Sequence, residues 1–166
     1  HDTLIRALAE LGRSDVELWI LGKGPNERQL ERLTRSLGLG DRVRLTGFQS
    51  NPHAIVRQAD LFVLSSRYEG LPNALLEAMI VGTPVVSTDC PYGPADLIEL
   101  GRTGWLTPVG DVGALARGIE EALGWPEEAR RRAERAKQEV CRRFDPANVV
   151  EQYASAFESL ARRRSG

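Results

Sequence analysis

The stretch ADLFVLSSRYEGLPNALLEAMIVGTPVVST, residues 59–88, decides the architecture. It opens on ADLFVLSS, an apolar run of strand length, and closes on a second such run, TPVVST. Between them, residues 72–82 read as a helix. Pro72 suits the first helical position, because the N–H it lacks would have no intrahelical partner there. Strand, helix, strand is the pattern of a right-handed crossover between parallel strands.

The same alternation continues on both sides. Residues 17–22, 43–48 and, more weakly, 104–109 are further short apolar runs, each closed or interrupted by glycine or proline. Helical spacing puts Leu4, Ile5, Leu8 and Leu11 on one stripe over residues 2–12, and Leu30, Leu33 and Leu37 on another over 26–38. A helix over 111–123 starts at Asp111, a residue suited to capping. Two more occupy 127–143 and 147–163. The fold class expected is α/β, a Rossmann-like parallel sheet flanked by helices, forming a single domain over residues 1–166. Such sheets bind ligands at the carboxyl ends of their strands. The loops to inspect are therefore 22–26, 47–52, 65–73, 89–93 and 108–111.

Composition narrows the classes. Apolar residues are 42% of the chain, enough for a core, and the net charge of −1 gives no reason to expect nucleic acid. The charge is uneven: residues 1–125 carry 12 basic and 16 acidic side chains, residues 126–166 carry 10 and 7. Arg130, Arg131, Arg132 and Arg162, Arg163, Arg164 lie in the basic tail. Such a tail is either a solvated helix face or a peripheral contact with acidic phospholipid at the inner face of a membrane. No apolar run approaches the roughly 20 residues of a bilayer span, and no signal peptide is visible. Cys90 and Cys141 have no metal spacing around them, which suits a reduced, cytoplasmic protein. The chain begins at His1 within a helical pattern and reads as a fragment.

The loop Gly22-Lys23-Gly24-Pro25-Asn26-Glu27 starts like a dinucleotide fingerprint, but Pro25 intervenes and Glu27 occupies the third small-residue position. No GxxxxGK[ST] phosphate loop is present. Gly22 and Gly24 form either a tight turn or a turn that lets a ligand approach backbone.

Two acids flank the Gly70-Leu71-Pro72 turn: Glu69 before it and Glu77 after it, with seven residues between them. The turn leads into a helix whose first N–H groups, near Leu71, Asn73, Ala74 and Leu75, have no intrahelical partners. With the helix dipole behind them they suit a diphosphate, and Gly70 removes a Cβ where it would approach. A carboxylate accepts hydrogen bonds only, so Glu77 suits the vicinal hydroxyls of a ribose, and Glu69 a polyol. Together the parts describe a nucleotide sugar. A buried helix with an acid near its start is the plainer alternative for the same residues.

The surrounding text, EGLPNALLEAM followed by VGTPVVSTD, resembles the donor-binding, C-terminal half of retaining GT-B glycosyltransferases of the group 1 type. HDTLIRALAEL, ELWILGKGP, RVRLTGFQSN, GWLTPVGDVGALARGI and FDPANVVEQYASAF follow the same family's order, so the resemblance covers nearly the whole chain. It implies transfer of a sugar from a nucleoside diphosphate to a hydroxyl in polysaccharide, lipopolysaccharide or glycolipid synthesis. Glu69 would face the transferred sugar and the reaction centre, and Glu77 would hold the ribose. Gly70, Leu71, Asn73, Ala74 and Leu75 would meet sugar and diphosphate, Phe48 and Gln49 would cradle the base, and Gly22 and Gly24 would border the cleft. An acidic residue commonly stands in place of Lys23, and Asp96 stands where relatives often have Glu. EGLP replaces the family's EGFG variants, which can aim Glu69 differently. No cofactor and no metal is implied, since the chain has no Asp-x-Asp and no His cluster. The resemblance places the acceptor-binding N-terminal domain and the diphosphate-clamping arginine and lysine upstream of this chain. The chain alone is then expected to bind its nucleotide sugar weakly and to transfer nothing. Val149, Tyr153, Phe157 and Leu160 form an apolar stripe on a terminal helix, which in the family crosses back to the other domain.

Two rivals share the architecture. A nucleotide-sugar epimerase or a phosphorylase is one. A pyridoxal-dependent phosphorylase needs a lysine, and only Lys23 and Lys137 are present. A non-catalytic nucleotide-binding module is the other.

Overall fold

The computed structural model describes residues 1–164, and side chains as far as residue 159. In chain order the elements are α1 (Asp2–Leu11), β1 (Leu18–Leu21), α2 (Glu27–Ser36), β2 (Val43–Gly47), α3 (Pro52–Val56), β3 (Phe62–Leu64) and α4 (Asn73–Val81). There follow β4 (Val85–Thr88), α5 (Pro94–Leu97), β5 (Trp105–Thr107), α6 (Val112–Gly124), α7 (Pro126–Arg143) and α8 (Pro146–Arg164). Every strand pairing is parallel, as the βαβ pattern requires. The fold is α/β, with parallel sheets flanked by helices.

The strands do not form one continuous ladder: β1 pairs with β2, and β3, β4 and β5 form a second sheet with β4 in the middle. Helix α1 joins the two. Its Leu4 and Ala7 pack into the core over the second sheet, while Ile5 and Leu8 pack with Ile20, Leu30 and Val43 over the first. Side chains rather than backbone bonds bridge the seam, with Leu11 and Leu18 touching both cores.

Strand β4 shows why helices lie on both faces. Successive side chains of a strand point to opposite sides. Val86 packs with α1 and α6 (Leu4, Ala7, Leu115, Ile119), and its neighbour Val85 packs with α4 and α7 (Leu75, Ala78, Met79, Ala136, Val140). All four β4 residues are buried, as befits a central parallel strand covered on both faces. In α4 the buried residues Leu75, Ala78 and Met79 sit at helical i, i+3, i+4 spacing, leaving Glu77 on the outer side. The helix stops at Gly82, whose φ of 85° sits in the left-handed region, while the Thr83 N–H returns to the Ala78 carbonyl at 3.0 Å.

Helix α4 begins one residue later than the sequence suggests. Pro72 has ψ 74° and occupies the capping position, and the first helical residue is Asn73. Asp111 caps α6 as expected, its Oδ1 accepting from the Ala114 N–H at 2.8 Å. Helices α3 and α5, of five and four residues, are absent from the sequence reading because so short a segment shows no period. Three arginines of the basic tail are paired. Arg130 pairs with Glu127 and Arg131 with Glu128, while Arg132 holds Glu128 and lies 4.1 Å over the Trp105 ring. The side chains of Leu160 and Arg162–164 lie outside the described residues. Among the described residues no helix is long and apolar enough to cross a membrane.

Candidate active site

The carboxyl ends of β3 and β4 meet at one surface, and hydrogen bonds from buried Thr88 hold them together. Its Oγ1 donates to the Ser66 carbonyl at 2.6 Å and to that of Leu64 at 3.3 Å. Ser66 in turn donates from Oγ to Glu69 Oε1 at 2.6 Å. Half-buried Glu69 is thus tied through one oxygen to the strand end, and Oε2 has no protein partner among the described residues. A carboxylate so fixed can accept from a ligand hydroxyl without first being ordered.

The turn after Glu69 is braced by the loop that follows β4. Gly93 has φ 109°, and a Cβ built there would lie 2.3 Å from Pro72 Cδ and 3.2 Å from the Gly70 carbonyl oxygen. Only a glycine allows that approach. Gly70 itself is the reverse case: a Cβ there would meet nothing within 4 Å. Gly70 is exposed, so space over it is open to a ligand.

The predicted set of free amides is smaller than expected. The Asn73 N–H donates to the Leu71 carbonyl at 2.8 Å, and the Leu75 N–H to the Pro72 carbonyl at 3.0 Å. Leu75 is fully buried and serves the core. The N–H groups of Gly70, Leu71 and Ala74 have no protein partner among the described residues and remain for an anion. The ψ of Pro72 is the cause, because it folds the chain tightly before the helix begins.

Glu77 is half-exposed on the first turns of α4, and its Oε2 lies 3.2 Å from His53 Nε2. His53 is a neighbour that the sequence reading missed. It sits on α3, whose start is set by Asn51 Oδ1 accepting from the Ala54 N–H, and Asn51-Pro52 was the one local signal that a turn of helix starts there.

The remaining expected residues are spread over other loops. Gly22 and Gly24 border a cavity of about 250 Å³ with Lys23, Asn26, Ile20 and Leu45. Glu69 and Glu77 are not in its lining. The Gly22 N–H donates to the Gly47 carbonyl at 2.8 Å, which ties this loop to the end of β2. Phe48 is exposed, and the Gln49 Nε2 donates to the Thr46 carbonyl at 2.9 Å, so its amide braces its own loop. Exposed Asp96 lies in α5, where its carbonyl accepts from Arg143. Lys137 lies against Gly82 at the far end of α4 from Glu69. Among the described residues no group of three or more His, Cys, Asp or Glu could hold a metal ion.

Cys90 is buried behind the loop, and burial pushes its thiol pKa up, with the Glu69 charge acting the same way. Cys141 is exposed. Iodoacetamide at pH 8 is therefore expected to label Cys141 alone in the folded protein, and both after unfolding. Intact-mass measurement before and after denaturant checks this; two labels on folded protein would show that Cys90 is accessible.

The family of glycosyl transferases group 1 matches residues 1–139, and the chain belongs to that family. The lipopolysaccharide core biosynthesis glycosyltransferase LpsE of Rhizobium meliloti is 35% identical over 157 residues, covering 95% of this chain and 45% of LpsE. Among solved structures, Anabaena HepE in complex with UDP superposes with a TM-score of 0.87 at 28% identity, over 95% of this chain and 44% of HepE. Staphylococcus aureus TarM, solved with UDP among its ligands, gives 0.88 at 26% identity over 94% of this chain and 32% of TarM. The chain thus spans less than half the length of these proteins.

Proposed function

We propose that this chain is the donor-binding half of a glycosyltransferase that moves a sugar from a nucleoside diphosphate to a hydroxyl acceptor, with retention at the anomeric carbon. One observation carries it: a fixed carboxylate (Glu69), unpaired N–H groups at Leu71 and Ala74, and a second carboxylate (Glu77) follow one another along a single strand-to-helix connection. Glu69 accepts from the transferred sugar. The Gly70, Leu71 and Ala74 amides and the positive end of α4 take the diphosphate, worth about 1–2 kcal/mol in a partly buried geometry. Glu77, with His53 beside it, holds the ribose, and Phe48 with its loop contacts the base. UDP in the HepE and TarM structures supports a nucleoside diphosphate as the leaving group.

In the transfer, the acceptor hydroxyl oxygen bonds to the anomeric carbon on the face from which the diphosphate leaves. The carbon–oxygen bond to phosphate breaks, and the hydroxyl proton passes to the departing phosphate oxygen. A double displacement needs a nucleophile and an acid at one bond, and Glu77 is committed elsewhere. The α4 amides stabilise the charge that grows on the diphosphate. The acceptor is bound by a separate domain, the reaction uses no metal, and the site faces the cytoplasm.

The test is a thermal-shift and titration panel with UDP, GDP and ADP on this chain and on Glu77→Ala, with EDTA present. Ligand at about 100 times its Kd stabilises by about 2.7 kcal/mol. Removing the ribose carboxylate is expected to raise Kd about ten- to hundredfold. Equal shifts for both proteins would remove Glu77 from the site. No shift with any nucleotide would overturn the donor-site reading.

A further inference from the structure

Beside Glu69 stand two aromatic rings that the proposed roles leave unused. Tyr68 and Tyr92 are 69% and 70% exposed. They come from different strand ends, Tyr68 from the loop after β3 and Tyr92 from the loop after β4. Yet their centroids are 6.2 Å apart, edge to face at 77°. Tyr92 has φ 64° and is the one non-glycine residue with a positive φ among the described residues. A bulky side chain is costly in that conformation. Its neighbour Gly93 is seated on Pro72 and the Gly70 carbonyl, which sets the Tyr92 loop against the turn that carries Glu69. Strain of this kind persists where surrounding structure holds it, and it gathers at ligand clamps.

We infer that the Tyr68–Tyr92 pair is a stacking wall for a pyranose ring. A pyranose has an apolar face of C–H groups and a rim of hydroxyls. The aromatic pair offers an apolar surface for the first, and Glu69, next to Tyr68 in the chain and with Oε2 unpartnered among the described residues, an acceptor for the second. The inference deepens the donor-site reading and rests on it. The ring is either the transferred sugar or a sugar unit of the acceptor, and the same chemistry serves both.

Titrations with UDP, with UDP-glucose, and with methyl glucoside in the presence of saturating UDP separate these sources. They are run on this chain, on Tyr68→Leu and on Tyr92→Asn, the latter because asparagine tolerates the left-handed backbone. The expected result is an unchanged Kd for UDP in both variants and a loss of about threefold to tenfold in the affinity for UDP-glucose or for methyl glucoside. Loss in the UDP-glucose arm assigns the wall to the transferred sugar, and loss in the glucoside arm to the acceptor. Unaltered sugar affinity in both variants, with their melting temperatures retained, overturns the stacking wall. Failure of UDP itself to bind sinks the donor-site reading instead. Tyrosine ring resonances followed by NMR during a titration with glucoside alone then decide the wall: shifts at Tyr68 and Tyr92 sustain it, and their absence overturns it.

Discussion

Replacing Gly93 by alanine is expected to destabilise the protein by about 2–5 kcal/mol, combining overpacking with the left-handed backbone cost. The geometry leaves no easy relaxation. The new Cβ would sit 2.3 Å from Pro72 Cδ and 3.2 Å from the Gly70 carbonyl oxygen, with φ at 109°. The proline ring cannot rotate away, and Pro72 is fully buried. The loop and the Glu69 turn must therefore part, which also removes the brace under the free amides. For a chain of this size the loss corresponds to a fall in melting temperature of about 5–15 °C. Gly70→Ala is the internal control, because no atom lies within 4 Å of its added Cβ. That variant should keep its melting temperature and lose nucleotide-sugar affinity. If Gly93→Ala melts with the native protein, the loop does not rest on Pro72 as described.

Leu75→Ala is expected to lower stability by about 2–5 kcal/mol, the range for emptying a fully buried leucine site. Leu75 is 0% exposed and packs among Ala78, Met79, Val85, Leu97 and Val140. Its loss opens a void between α4, β4 and α7, the layer that holds the start of α4 against the strand ends. Its N–H is bonded to the Pro72 carbonyl and makes no ligand contact in the proposed site. The variant should therefore bind nucleotide with near-native affinity at temperatures where it is still folded. Urea unfolding gives the stability, and titration at low temperature gives the affinity. A stable variant that had lost nucleotide binding would reverse the assignment and return Leu75 to the ligand.

Much of the local order of the candidate site is legible in the sequence. Glu69 and Glu77 were legible because they bracket a Gly-Leu-Pro turn between an apolar strand and an apolar helix, and all of that information is local. The free amides were read too generously. Which N–H groups remain unpaired depends on the ψ of Pro72, and the residue types alone leave that angle open. His53 escaped because α3 is too short to show a period and its partner lies on another element. Cys90 looked like a plain thiol; its place behind Glu69 comes from β4 pairing beside β3.

The sequence by itself determined the alternation of strands and helices, the parallel sense of the strands, the cap at Asp111, and the order of acid, glycine turn and acid. These follow from hydrophobic period and from the backbone limits of proline and glycine, which act over a few residues. The tertiary structure alone decided the break between the two sheets, with α1 packed across it. It also decided the seating of Gly93 on Pro72, the pairing of His53 with Glu77 and the meeting of Tyr68 with Tyr92. Each of these joins segments far apart in the chain, and such contacts arise only when the helices on both faces of β4 set the distance between its neighbouring loops.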